Sequence, residues 1–347
     1  MSQQTARDVP LPFQLSRLIA SLWVPRALYV AAELGVADAL GDEPRASGHV
    51  AIAVNAEAGA VRRLLRALTA LDVCSMTDDG RFALTPLGEC LRADSPESVR
   101  AWALLMGGPM VWRAWGSLLE CVRTGDPAAK LLDGRDTFEQ IAAHPEEQAV
   151  FDQSMADGTR HLAPAVATAY DFAGIETLVD LGGGYGALLP PILSAYPKMR
   201  GIVADLAHCR PGAERLMRDV GLDGRCEFVA CDMFSEVPPG ADAYVLKSVI
   251  HDWNDERSVA ILRQCRAAMG KDARLLLVEI VVPERLGSSS LDRAIVGTDL
   301  NMLVNTGGME RTEAEYRALL EAAGFRLTRT VPTDTALRVI EAVRNTK

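Results

Sequence analysis

The sequence predicts an α/β protein in two parts: a mostly helical N-terminal domain, residues 1–165, and a doubly wound, parallel-sheet domain, residues 166–347. Three observations carry this. Up to about residue 165 the apolar residues recur at helical spacing. From Thr177 onward, strand-like apolar runs alternate with amphipathic segments, the pattern of βαβ units. The first of those runs ends in closely spaced glycines, where open α/β sheets bind ligands.

The elements follow in chain order. Leu15, Leu18, Ile19 and Leu22 share a helix face, as do Leu64, Leu65, Leu68 and Leu71. "ALTALDVCSMTDDGRFALTPLGECL" interrupts the helices. It reads as a helix end, short strands over 73–76 and 81–84 around an Asp-Asp-Gly turn, and a new helix: a winged helix. Such a module binds DNA in some proteins and merely packs in others. The formal net charge of -10 disfavours DNA, because phosphate neutralisation needs clustered Lys and Arg. No nucleic-acid partner is expected. "DFAGIETL" leads into the second domain. Its strands are "TLVDL", "RGIVADL", "CEFVACD", "DAYVLKSVI" and "RLLLVEIVV", with helices such as "DERSVAILRQCRAAMG" between them. The end, "FRLTRTVPTDTALRVIEAVRN", holds two strand-like runs around a turn and predicts a terminal antiparallel hairpin.

Bulk properties narrow the function. With 49% hydrophobic and 24% charged residues, the 347-residue chain reads as soluble and globular. Seven scattered cysteines without a C-x-x-C argue against a disulfide framework or a zinc site and fit a reducing cytoplasm. The start "MSQQTARDVP" lacks a signal-peptide pattern, and no run reaches the ~18 apolar residues of a membrane span, so no membrane partner is expected.

"VDLGGGYGALLP" places Gly182, Gly184 and Gly186 between a strand and a helix, where glycine lets the backbone approach a ligand. Read loosely, it also fits a dinucleotide fingerprint. Asp205, ending the second strand, suits ribose hydroxyls in either case. Asp232, ending the third, sits beside Met233 and Phe234, an acid for an adenine amino group between apolar side chains. A dinucleotide pyrophosphate wants donors, whereas the acid Asp180 before the glycines suits the ammonium of a methionine moiety. The order of strand ends therefore favours S-adenosylmethionine over NAD.

The fourth strand carries Lys247 and ends in "VLKSVIHDWND". His251 there is either a general base near neutral pH or a packing residue before a helix capped by Asn254 or Asp255. Two acids favour the base. Glu279 interrupts an apolar strand, where an unpaired carboxylate is costly. Glu310 lies at a helix entrance. A carboxylate on Nδ1–H of His251 leaves Nε2 free to take a proton, and Glu279, on the neighbouring strand, is the expected partner.

Together "VDLGGGYG", "VADL", "CDMF", "LKSVIHDWND", "VEIVVPE" and "GGMERTEAEYRALLEAAGF" resemble the S-adenosylmethionine-dependent small-molecule O-methyltransferases, both the plant caffeic-acid/flavonoid type and bacterial relatives in antibiotic biosynthesis. "RALYVAAELGVADAL" and "DDGRFALTPLGECL" are similar to that family's dimerisation domain. The resemblance implies a seven-stranded Rossmann-like methyltransferase domain after a dimerisation domain, and a homodimer whose N-terminal helices interlock and contribute to the partner's substrate pocket. It implies His251 as base, flanked by Glu279 and Glu310. It implies S-adenosylmethionine contacts from Gly182, Asp205, Asp232, Met233 and Lys247, to which the strand-end reading adds Asp180, Gly184 and Phe234. The product is S-adenosylhomocysteine, and no metal is expected. Met155 and Asn305 match substrate-pocket positions; Asp252, Trp253 and Met302 complete the expected acceptor side, with Trp253 either excluding water or filling core. "MLVNTGG" offers no aromatic clamp. The expected reaction is methylation of a phenolic hydroxyl in bacterial secondary metabolism. N- or C-methylation, S-adenosylmethionine-dependent hydroxylation or decarboxylation, and a winged-helix metabolite sensor stand as alternatives.

Overall fold

The computed structural model describes residues 9–345. Packing divides the chain into a unit up to Trp112 and a unit from Arg113 onward. The division falls earlier than the expected 165. Helix Pro145–Ala169 buries Ala163 and Val166 in the same apolar cluster as Leu189, Ile192 and Val203 of the sheet domain. Its periodicity marks it as helix but carries no sign of which unit it joins.

In the first unit, helix Ala58–Ala70 begins at Glu57, whose carboxylate accepts from the Gly59 and Ala60 amides. It buries Val61, Leu65 and Leu68. Strands β1 (Cys74–Met76) and β2 (Phe82–Leu84) pair antiparallel as the wing, and Phe82 joins Leu40, Val50 and Leu65 in the core. Helix Leu11–Ala20 buries nothing within this unit. Leu11, Phe13, Leu15, Leu18, Ile19 and Trp23 are all exposed.

The second unit contains β3 (Thr177–Leu181), β4 (Arg200–Asp205), β5 (Cys226–Ala230), β6 (Ala243–Lys247), β7 (Arg274–Val282), β8 (Arg311–Thr312), β9 (Phe325–Pro332) and β10 (Leu337–Arg344). The sheet order is β5-β4-β3-β6-β7-β10-β9. The first five of these are parallel, and the β9–β10 hairpin closes the edge antiparallel. These are the seven expected strands. The two-residue β8 is an addition, pairing parallel with the end of β7 as Val281↔Arg311 and Val282↔Thr312.

Both faces of the sheet are buried, yet the period of two survives. Tyr244, Leu246, Leu275 and Leu277 face one apolar cluster, while Ala243, Val245, Leu276 and Val278 face the other. By that parity Glu279 points to the side of Leu275 and Leu277, where Ile250, Trp253 and Tyr316 pack. The pleat therefore aims this carboxylate at the turn that carries His251. No helix among the described residues is long and apolar enough to cross a membrane.

Candidate active site

The glycine loop after β3 is shaped by backbone geometry. Gly182, Gly184 and Gly186 have φ of 72°, 56° and 78°, the left-handed region where a side chain is strained. A Cβ on Gly182 would sit 2.8 Å from a Val249 methyl and 3.1 Å from the Met233 methyl. Asp205 at the end of β4 ties the loop down: Gly184 N–H donates to its Oδ2 at 2.7 Å, and Leu206 N–H to its Oδ1 at 2.6 Å.

Asp180 and Lys247 stand on adjacent strands below this loop. Asp180 is buried, and its Oδ2 has no hydrogen-bond partner among the described residues. Burial pushes its carboxyl up to about 7, the neighbouring Asp205 charge adds to this, and Lys247 opposes it. Lys247 donates to Thr159 Oγ1 at 3.2 Å. Burial lowers its pKa, while Glu279, Asp180 and Asp252 pull the other way. A buried carboxyl with an orphan oxygen beside a half-buried ammonium fits the ammonium and carboxylate of an α-amino acid.

One cavity of about 520 Å³ runs over these strand ends. Asp180, Gly182, Gly184, Asp205, Asp232, Met233, Phe234 and Lys247 all line it, as do Met155, Asp252 and Trp253. Asp232 Oδ1 accepts from the Phe234 amide at 3.0 Å, which fixes the turn that presents Met233 and Phe234. The sequence reading missed the rest of this wall. Trp253 lies 5.0 Å from Phe138 and 5.0 Å from Phe234, centroid to centroid. The Arg257 guanidinium sits 4.0 Å over Trp253 and 4.6 Å over Phe234, and pairs with Asp136 at 2.6 Å. Arg257 lies four residues past Trp253, a spacing that could have suggested the contact. Phe138 lies far upstream and left no local signal.

His251, Glu279 and Glu310 are not among the residues lining the cavity; Asp252 links them to it. After Lys247 the chain turns at Ser248, whose φ of 53° is strained for a residue with a side chain. One turn of 3-10 helix, Ile250–Asp252, follows. Glu279 Oε1 accepts from the Val249 and Ile250 amides at 3.0 and 2.8 Å. The His251 Nδ1 partner is Glu310 Oε1 at 2.9 Å, with Glu279 Oε2 farther off at 3.9 Å. This corrects the expectation that Glu279 orients the ring: Glu279 orients the backbone, and Glu310 the imidazole. Nor does Glu310 cap the helix beside it, since Thr312 does so with Glu315. With Nδ1–H donated to a carboxylate, Nε2 is left facing Asp252 Oδ1 at 3.9 Å.

The charges are crowded. Burial alone would lower the His251 pKa, but Glu279, Asp252 and Glu310 outweigh it and push the imidazole up to about 10. Burial raises Glu279 to about 7 against the pull of His251, and Asp252 to about 6. Glu279 Oε2, Glu310 Oε2 and Tyr316 Oη are buried without hydrogen-bond partners among the described residues.

Met302 and Asn305 lie apart from this arrangement and do not line the cavity. Asn305 Nδ2 donates to Asn301 Oδ1 at 2.8 Å and to Asn301 O at 3.0 Å, and Asn301 Oδ1 also accepts from Trp115 Nε1 at 3.0 Å. The Asn305 Nδ2 donors are both engaged inside its own helix, and Met302 is buried at 8% exposure. Neither residue therefore contributes to the lining of this cavity.

Residues 115–326 match the family model described as the O-methyltransferase domain, and residues 16–94 match the O-methyltransferase dimerisation domain. The chain belongs to the O-methyltransferase family. This O-methyltransferase is 40% identical over 339 residues to the phenazine O-methyltransferase PhzM of Lysobacter antibioticus, covering 97% of each chain. The crystal structure of LaPhzM superposes with a TM-score of 0.93 at 40% identity, over 97% of this chain and 100% of that one. A second solved structure, of the O-methyltransferase NcsB1 from neocarzinostatin biosynthesis, holds S-adenosylmethionine and 2-hydroxy-5-methyl naphthoic acid. It matches with a TM-score of 0.77 at 35% identity, over 92% of this chain and 96% of that chain. In the O-methyltransferase described here, the dimerisation match falls within the unit that leaves Leu18, Ile19 and Trp23 exposed.

Proposed function

We propose that this enzyme methylates a phenolic hydroxyl of an aromatic small molecule in bacterial secondary metabolism, with S-adenosylmethionine as donor and His251 as general base. One observation carries the reading: a histidine pinned at Nδ1 by a buried glutamate, its Nε2 facing Asp252, which lines a cavity of acids, glycines and a lysine suited to the cofactor. The phenazine in one relative's name and the hydroxynaphthoic acid bound to another support an aromatic substrate. A homodimer formed through the N-terminal unit covers its exposed apolar residues.

When bound, S-adenosylmethionine supplies a methyl on a cationic sulfonium, whose charge opposes the carboxylates' hold on the His251 proton. Asp180 would hold the ammonium of its methionine part and Lys247 the carboxylate, Asp205 would hold the ribose hydroxyls, and Asp232, Met233 and Phe234 the adenine; all line the cavity. Neutral His251 accepts the phenol proton at Nε2, and the new imidazolium is held by Glu310 at Nδ1 and by the nearby Glu279. The carboxylates that raise the imidazole strengthen it as an acceptor for the proton of a phenol, whose own pKa is near 10. The Phe138, Phe234 and Trp253 rings exclude water beside the base.

His251→Ala tests the reading. Turnover with a panel of hydroxylated phenazines and naphthoates should fall about 10²-fold or more, with S-adenosylmethionine affinity by calorimetry unchanged. Wild-type turnover in that variant removes the base from the mechanism.

A further inference from the structure

We infer that Arg311 is a positioning residue for the reaction, acting through the backbone of the turn that carries His251; this rests on His251 being the base. Arg311 is 1% exposed and heads the largest fully buried side chains. A buried guanidinium is costly unless its donors are satisfied. Here they grip the turn on both sides of His251. Nη1 donates to Ile250 O at 3.1 Å and Nη2 to Trp253 O at 2.8 Å. Nε and Nη2 also reach Asp255 Oδ1, at 3.0 and 2.8 Å, at the start of the following helix. Its carboxylate partner among the described residues, Asp255, is itself largely in water, with 72% of its side chain exposed. The guanidinium is therefore held mainly by the two carbonyls that bracket the base.

Neighbouring groups complete a frame around the same residues. Met309 N–H donates to His251 O at 2.9 Å. Gly308 lies so close that a Cβ there would come within 1.9 Å of that oxygen. Ser258 Oγ reaches Ile250 O and Trp253 O at 3.4 and 3.3 Å. Glu310 holds the ring while the next residue, Arg311, holds the main chain, and β8 pairing fixes Arg311 opposite Val281, two residues beyond Glu279. Ring and backbone of His251 are thus referred to one strand edge. Lysine cannot reproduce this, because a single ammonium cannot span two carbonyls and a carboxylate as a planar fork does.

The test is a double-mutant cycle on the full-length enzyme, below the melting temperature of every variant. Arg311→Lys and Arg311→Met should each lower kcat by about 10- to 10²-fold, the range a 1 Å misplacement can cost, with S-adenosylmethionine affinity within about twofold. In the His251→Ala background Arg311→Met should cost little more, because residues acting as one unit are non-additive. A second readout does not depend on turnover: the His251 ring nitrogen signals should show the Nδ1–H bond to Glu310 weakened in both variants. An Arg311 loss repeated in full without His251, or unchanged ring signals and kcat in a folded variant, overturns the inference while leaving the base intact. Wild-type turnover in His251→Ala overturns both.

Discussion

Glu279→Gln separates the charge of Glu279 from its hydrogen bonding. Glutamine keeps an acceptor oxygen for the Val249 and Ile250 amides, which Glu279 Oε1 now serves at 3.0 and 2.8 Å. What disappears is the negative charge 3.9 Å from His251 Nδ1, the largest of the influences raising the imidazole. A unit charge at about 4 Å and an effective dielectric of about 20 is worth about 4 kcal/mol. One pH unit corresponds to about 1.4 kcal/mol, so the upper figure is about 3 pH units. Glu279 itself titrates near 7 and the pair titrates jointly, which makes a fall of roughly 1–3 pH units the expectation. The sign is fixed. The wild-type group is raised, so its neutral, proton-accepting form grows as pH climbs toward about 10. Removing the anion lowers that midpoint and enlarges the neutral fraction at pH 8. The assay is kcat/KM for the preferred phenol between pH 6 and 10.5, whose acid limb reports the free enzyme's base, with the His251 signal followed in parallel by NMR. With only five histidines in the chain, His251→Ala assigns the resonance. An acid limb and a His251 midpoint that stay in place, or move upward, refute the electrostatic reasoning.

Three further outcomes are expected. Asp180→Asn removes a buried carboxyl raised from 3.8 to about 7. A raised acid makes the fold lose stability as pH rises from about 4 to about 7. The variant should therefore be more stable than wild type at pH 8 in thermal melts, by at most about 4 kcal/mol, with little gain at pH 4, while S-adenosylmethionine binding weakens tenfold or more; equal affinity removes Asp180 from the site. Gly308→Ala, whose Cβ would meet His251 O at 1.9 Å, should cut kcat about tenfold or more with cofactor affinity retained, and a silent substitution would show that the turn tolerates displacement. Leu18→Asp with Trp23→Asp, at positions 68% and 69% exposed, should shift the protein from dimer to monomer in light scattering; an intact dimer places the interface elsewhere.

The parts of the fold that repeat were legible in the sequence. Alternation marked β3 to β7, and a lone glutamate in an apolar strand marked Glu279 as a buried group needing a partner. Its parity with Leu275 and Leu277 even fixes the face on which that partner lies. The choice of partner was not legible. Glu310 lies fifty-nine positions from His251, and the two are brought together by the two-residue pairing of β8 with β7 and by single contacts such as Met309 N–H to His251 O, none of which shows as a pattern. Met302 and Asn305 fall outside the cavity over the strand ends for a related reason. Spacing gives the face of a helix but not whether an amide there is already satisfied, and Asn301 satisfies Asn305. The domain boundary was hidden because helix Pro145–Ala169 has the same periodicity whichever core it joins.

The pairing of Val281 with Arg311 and of Val282 with Thr312 has a consequence for engineering. It closes the segment between them, including helix Ser290–Asn305, at its base, much as a hairpin closes a loop. Loop-closure free energy changes slowly with length. Grafting this segment from another member of the family, or lengthening the "RLGSSS" stretch before the helix, should therefore leave the residues on either side of the closure in register. The exchangeable stretch ends before Gly308, because Gly308, Met309 and Glu310 lie inside the same closure and hold the ring and backbone of His251. Within that limit the protein offers a replaceable cassette, so its small-molecule range can be explored by segment exchange without rebuilding the acid–base cluster.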